Sequence, residues 1–130
     1  MTEEDNDASL IVWALRFTSK ARANLDAGRD HFMQSAGEEI ADAWQDGIEN
    51  EIAKLSRLPE RRPIAQENPR FKATVRSLSY RRAATGPVYR VLFTVQPLSE
   101  DGPTVTIINI RHGAQAPMTR KEAREIEATE

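Results

Sequence analysis

Apolar and polar positions follow two different periods along this chain, and the change of period divides it. Residues 10–17, LIVWALRF, put Ile11, Trp13, Leu15 and Phe17 on one side and Leu10, Val12, Ala14 and Arg16 on the other, which predicts a strand covered on both faces. Over residues 19–34 the spacing becomes helical, with Ala21, Leu25, Gly28 and Phe32 on one stripe, although Gly28 weakens an unbroken helix. Ser35-Ala-Gly-Glu38 has capping-box spacing, so Ser35 is expected to start a second helix. In that helix Ile40, Trp44, Ile48, Ile52 and Leu55 form one stripe, Glu39, Asp42, Asp46 and Glu49 lie elsewhere, and Pro59 ends it.

From Leu58 to Pro69 the chain is proline-rich and polar and reads as a connector. Period 2 then takes over. Residues 70–81 predict a strand, RRAATGP a loop, VYRVLFTVQ (88–96) a strand, PLSEDGP a turn and TVTIINIRH (104–112) a strand. The last piece, TRKEAREIEATE, reads as a charged helix with Ile126 as almost its only residue to bury. The expected fold class is therefore α+β: an N-terminal strand, a helical hairpin, then a three-stranded antiparallel meander, with the hairpin on one face of the sheet. The other face is left to solvent, to the tail or to a partner. The expected organisation is a disordered acidic lead-in (1–8), a single domain (9–117) and a charged helical tail (118–130).

Composition narrows the class. The chain has 130 residues, 39% hydrophobic and 29% charged, as expected of one globular domain. It has no cysteine, which excludes disulfides and Cys-based zinc sites. The N-terminus is acidic and the apolar run behind it short, so neither a signal peptide nor a membrane span is expected, and the protein reads as cytoplasmic. The net charge of −2 conceals a segregation: −6 over residues 1–69, +7 over 70–121 and −3 over 122–130. A half so basic attracts phosphates or an acidic protein, unless the two halves neutralise each other across the fold.

There is no phosphate-binding glycine loop, no nucleophile elbow and no spaced metal-ligand array, so neither cofactor nor metal is expected. Arg90 is the one residue of VYRVLFTV that does not suit a half-buried strand, and it needs a partner or a task. The next strand ends Ile110-Arg111-His112-Gly113, and Arg81 and Arg82 enter the preceding loop. With Phe93 opposite Ile107, strict alternation places Arg90 with Ile108, Ile110 and His112. A slip of one residue places it with Ile107, Asn109 and Arg111. Either register keeps a basic residue on its face.

ALRFTSKARANL near the start, a helical hairpin, and VRSLSYRR…YRVLFTV…VTIINIRHG together resemble the RelE/ParE superfamily of type II toxin–antitoxin (plasmid stabilisation) toxins, over residues 12–117. The resemblance implies a compact toxin and a cognate antitoxin encoded beside it. It also implies a target: RelE-like members cut mRNA at the ribosome, ParE-like members poison DNA gyrase without being nucleases. Metal-free mRNA cleavage, an endoribonuclease activity, is the leading expectation. The alternatives are a ParE-like gyrase inhibitor or a degenerate toxin-fold binding module. For cleavage, Arg90 matches the strand arginine that nucleases set on the phosphate, and Arg111 and His112 lie where late catalytic residues sit. Lys72, Arg76, Arg81 and Arg82 are the expected contacts to RNA or antitoxin. The departures are that no tyrosine follows Tyr89, that only Lys72 stands where others have paired lysines, and that a connector glutamate is available only as Glu60 or Glu67.

Overall fold

The computed structural model describes residues 10–130; the expected acidic lead-in lies outside the described residues. Strand β1 (Ala14–Phe17) leads into helix α1 (Ser19–Ala36) and helix α2 (Glu38–Ala53). Three short 3-10 turns, Lys54–Ser56, Pro59–Arg61 and Asn68–Arg70, carry the connector to β2 (Arg76–Arg81), β3 (Val88–Gln96) and β4 (Thr104–His112), and helix α3 (Arg120–Glu127) closes the chain. The sheet order is β1-β4-β3-β2. The meander is antiparallel as expected, while β1 runs parallel to β4. No helix among the described residues is long and apolar enough to cross a membrane.

The helical hairpin packs on one face of the sheet around Trp44, Leu25, Ile48, Ile52, Val91 and Phe93. The stripe read from α1 is the buried one, Ala21, Leu25, Gly28 and Phe32. Gly28 is a seat, not a weak point, because a Cβ there would come within 2.4 Å of Trp44. Gly47 on α2 makes the same kind of room, with a Cβ position 1.9 Å from the Tyr80 hydroxyl.

The capping box at Ser35 does not form. Ser35 lies inside α1, and its hydroxyl donates to the His31 carbonyl. Gly37, at φ 92°, ends α1 and begins α2 with no side-chain cap, since the turn needs a left-handed residue that serine does not readily adopt. Capping-box spacing that does engage lies at Thr119, whose hydroxyl accepts from the Glu122 amide.

Two predicted strands are shorter than their patterns. β1 begins only at Ala14 because Thr104, its partner, is the first residue of β4. Leu10, Ile11 and Val12 therefore stay exposed. β2 begins only at Arg76, because the residues before it turn back on the connector: the Ala65 amide donates to Val75, and the Val75 amide to the Asn68 side chain. Where β1 stops, Asn24 of α1 continues its pairing, its Oδ1 accepting from the Ile110 amide (3.0 Å) and from Asn109 (2.9 Å).

The outer face of the sheet is covered by the connector and the tail. Ala65, Phe71 and Val75 meet Leu92 and Ile108, and Met118, Ala123 and Ile126 close over them. The tail thus buries three apolar residues where the sequence pattern offers one. β4 is buried along its length except at His112.

The Arg90 register combines features of both expectations. Phe93 does stand opposite Ile107, yet Arg90 stands opposite Arg111, because pairing shifts between Leu92 and Phe93. A bulge in β4 adds one residue there, so strict alternation fails across it.

Candidate functional site

Arg90 faces away from the helical hairpin because Tyr89 and Val91, its neighbours, belong to the hairpin-side core. The bulge sets Arg111 directly across from it. Like charges opposite one another repel. The connector supplies the counter-charge: Glu67 forms an ion pair with Arg90 and lies 3.8 Å from the Arg111 Nε. The Glu67 side chain is 5% exposed and that of Arg111 4%, so this charge cluster is nearly removed from water. Arg111 is held further by Glu122 of α3 at 3.0 Å, by the Ala116 carbonyl at 2.8 Å and by the Met118 sulfur at 3.8 Å. Two arginines are thereby matched by two carboxylates, and connector, sheet and α3 meet in one network. Glu67 Oε1 is buried without a hydrogen-bond partner.

Beside the network opens a cavity of about 430 Å³, lined among others by Glu67, Arg70, Arg90, Arg111, His112 and Gln115. His112 packs edge-on against Tyr89, with ring centroids 5.2 Å apart. Its Nδ1 accepts from the Ala114 amide at 3.0 Å, so the neutral ring carries its proton on Nε2. Gly113 makes the exit from the strand, where a Cβ would lie 2.9 Å from the Val88 carbonyl. Burial raises the Tyr89 phenol above its ordinary range. The Tyr80 phenol is raised too, by burial first and by Glu51, against a lowering by Arg82.

Of the residues singled out in the sequence, Arg90 and Arg111 come together, and His112 borders the same cavity while its ring turns to Tyr89 on the hairpin side. The other four are not part of the cluster. Arg76 donates to the Arg62 carbonyl at 2.8 Å and shares the hairpin side of the sheet with Phe93. Arg81 donates to the Ala84 carbonyl, Arg82 is exposed on the loop that follows, and Lys72 is exposed in the connector, its backbone amide donating to Glu127. Sequence reading named Glu67 without a site for it and missed Arg70 and Glu122. For Glu122 a signal existed in Thr119-x-x-Glu122. Its side chain, however, turns to Arg111.

The family model for the ParE toxin of the type II toxin–antitoxin system parDE matches residues 15–117. The chain belongs to the ParE toxin family. A solved structure described as the chromosomal ParDE TA system from P. aeruginosa is similar to this ParE-family chain at 25% identity and a TM-score of 0.59. The match covers 78% of this chain and 96% of that one. No curated protein gives a significant match. ParE membership confirms the superfamily read from the sequence and makes the chain the toxin type of a two-component system, with an antitoxin as its implied partner. mRNA cleavage, the leading expectation, finds no support in these likenesses, which favour the ParE-like alternative.

Proposed function

We propose that this chain is the toxin of a ParDE-type pair and acts by holding a protein target, DNA gyrase, rather than by cutting RNA. One observation carries the second half of that reading: the two strand arginines singled out for cleavage, Arg90 and Arg111, are each ion-paired within the chain. A 2′-hydroxyl attack on RNA builds charge on a pentacoordinate phosphorus and needs free cations around it, a base and an acid. Here Arg90 is paired with Glu67, Arg111 with Glu122 and Glu67, and His112 Nδ1 is used by a backbone amide. The exposed cations Arg81, Arg82 and Lys72 lie outside the network and are proposed as contacts to protein partners.

The test is induced expression followed by separate measurement of translation, DNA damage and gyrase activity. Growth is expected to stop while amino-acid incorporation continues and the DNA-damage response rises. The purified protein is expected to inhibit supercoiling by gyrase in vitro. Cleaved mRNA in a translating extract, with supercoiling unaffected, would overturn the proposal.

A further inference from the structure

The cavity beside Arg90 differs from the ion-pair network behind it, and its chemistry points to one kind of ligand. Its lining includes three arginines, Arg70, Arg90 and Arg111, against the carboxylate of Glu67, with Glu122 of α3 answering Arg111 from behind. Arg70 is exposed at the mouth, and its side chain makes no ion pair or hydrogen bond among the described residues. Arg90 meets Glu67 through Nη1, and its side chain remains 16% exposed. A guanidinium has five N–H donors in a fixed fork, so Arg90 keeps donors for a second group. Arg70 and the spare donors of Arg90 thus offer more positive charge and N–H groups than Glu67 alone answers.

We propose that this cavity receives a carboxylate side chain of the partner antitoxin, with Arg70 as the donor at its mouth that selects an acidic residue. The proposal rests on the reading of the chain as the toxin of a pair and deepens it. Two features favour a peptide over a nucleic-acid phosphate. Glu67, fixed in the floor, repels a strongly anionic backbone but tolerates one carboxylate between Arg70 and Arg90. Glu67 Oε1, buried without a partner beside the cavity, is satisfied by an amide N–H, which a peptide brings and a phosphodiester does not. The volume of about 430 Å³ accommodates a side chain with water around it, since a water takes about 30 Å³ of liquid. With Arg90 answered by Glu67 and Arg111 by Glu122, Arg70 is the unanswered charge of the lining and draws an acidic group to the mouth.

The experiment compares Arg70→Glu with Lys121→Glu, an equal charge change at an exposed residue of α3 that does not line the cavity. Affinity for the antitoxin encoded beside the gene is measured by calorimetry at two salt concentrations. Arg70→Glu is expected to lose at least about tenfold in affinity and part of the salt dependence, while Lys121→Glu stays within about twofold. Equal losses in the two variants, or none in Arg70→Glu, would overturn the proposal. So would Arg70→Glu sparing the antitoxin while abolishing binding of a single-stranded RNA or a duplex DNA oligonucleotide. A second measurement needs no antitoxin: sodium acetate should shift the side-chain N–H signals of Arg70 and Arg90 in NMR at an ionic strength where sodium chloride does not. No acetate effect sinks the carboxylate site. An acetate effect with no antitoxin binding to the wild-type chain instead sinks the toxin-pair reading and, with it, the antitoxin as the cavity's ligand.

Discussion

Glu67 stabilises two arginines at once, so its removal is expected to cost more than the loss of an ordinary ion pair. Glu67→Ala leaves Arg90 and Arg111 facing each other with less counter-charge in a site almost closed to water. The expected destabilisation is about 3–5 kcal/mol, read as a lower urea midpoint with an unchanged slope. Replacing the pair together, Glu67→Leu with Arg90→Met, should recover most of it, because apolar residues of similar volume carry no desolvation penalty. Gly47 is the second sensitive position. Gly47→Ala drives a methyl into the Tyr80 hydroxyl, at a cost of about 1–3 kcal/mol. Adding Tyr80→Leu should return part of that cost in a double-mutant cycle. The chain announced that Arg90 needed a partner, because a charge inside a strand pattern stands out. It did not announce Glu67, since a pairing across 23 residues of irregular connector has no period to read.

At the scale of elements, α3 is the piece whose attachment is most open to test. It adheres through Ala123, Ile126 and the preceding Met118, together with the Glu122–Arg111 ion pair. Ile126→Ala is expected to cost about 2–5 kcal/mol and to speed hydrogen exchange in residues 120–127 before the rest of the fold. No loss of protection there would show that the helix is held by other contacts. The helical hairpin was legible because its stripes recur over many turns. The tail was legible as a helix but its docking was not, because its buried residues besides Ile126 are one alanine and a methionine ahead of the helix, too sparse to form a stripe. The start of α2 was misread for a local reason: a serine followed two residues later by glycine offers two ways to turn the chain, and the glycine's left-handed geometry prevailed.

For the molecule as a whole, alkaline pH acts against the phenols of Tyr89, which is buried, and Tyr80, which is half-buried. Tyr80 and Tyr89 are both raised from the ordinary value of 10.0, so each ionises more readily in the unfolded chain. Their protonated forms therefore support the fold fully below pH 10, and that support is lost as pH rises through the raised folded values. Unfolding free energy measured from pH 8 to pH 11 should be flat at first and then fall, and Tyr89→Phe should make the fall shallower. The bulge in β4 has a consequence for comparing this chain with its relatives. A relative without the extra residue would align with a gap in the middle of a strand, the place where gaps are usually forbidden. Forcing a gapless match there would displace Arg111 and His112 by one column and exchange the inward and outward residues of the strand's second half. Substitution patterns tabulated from such a match would then assign the pressures of the core to the cavity, and those of the cavity to the core.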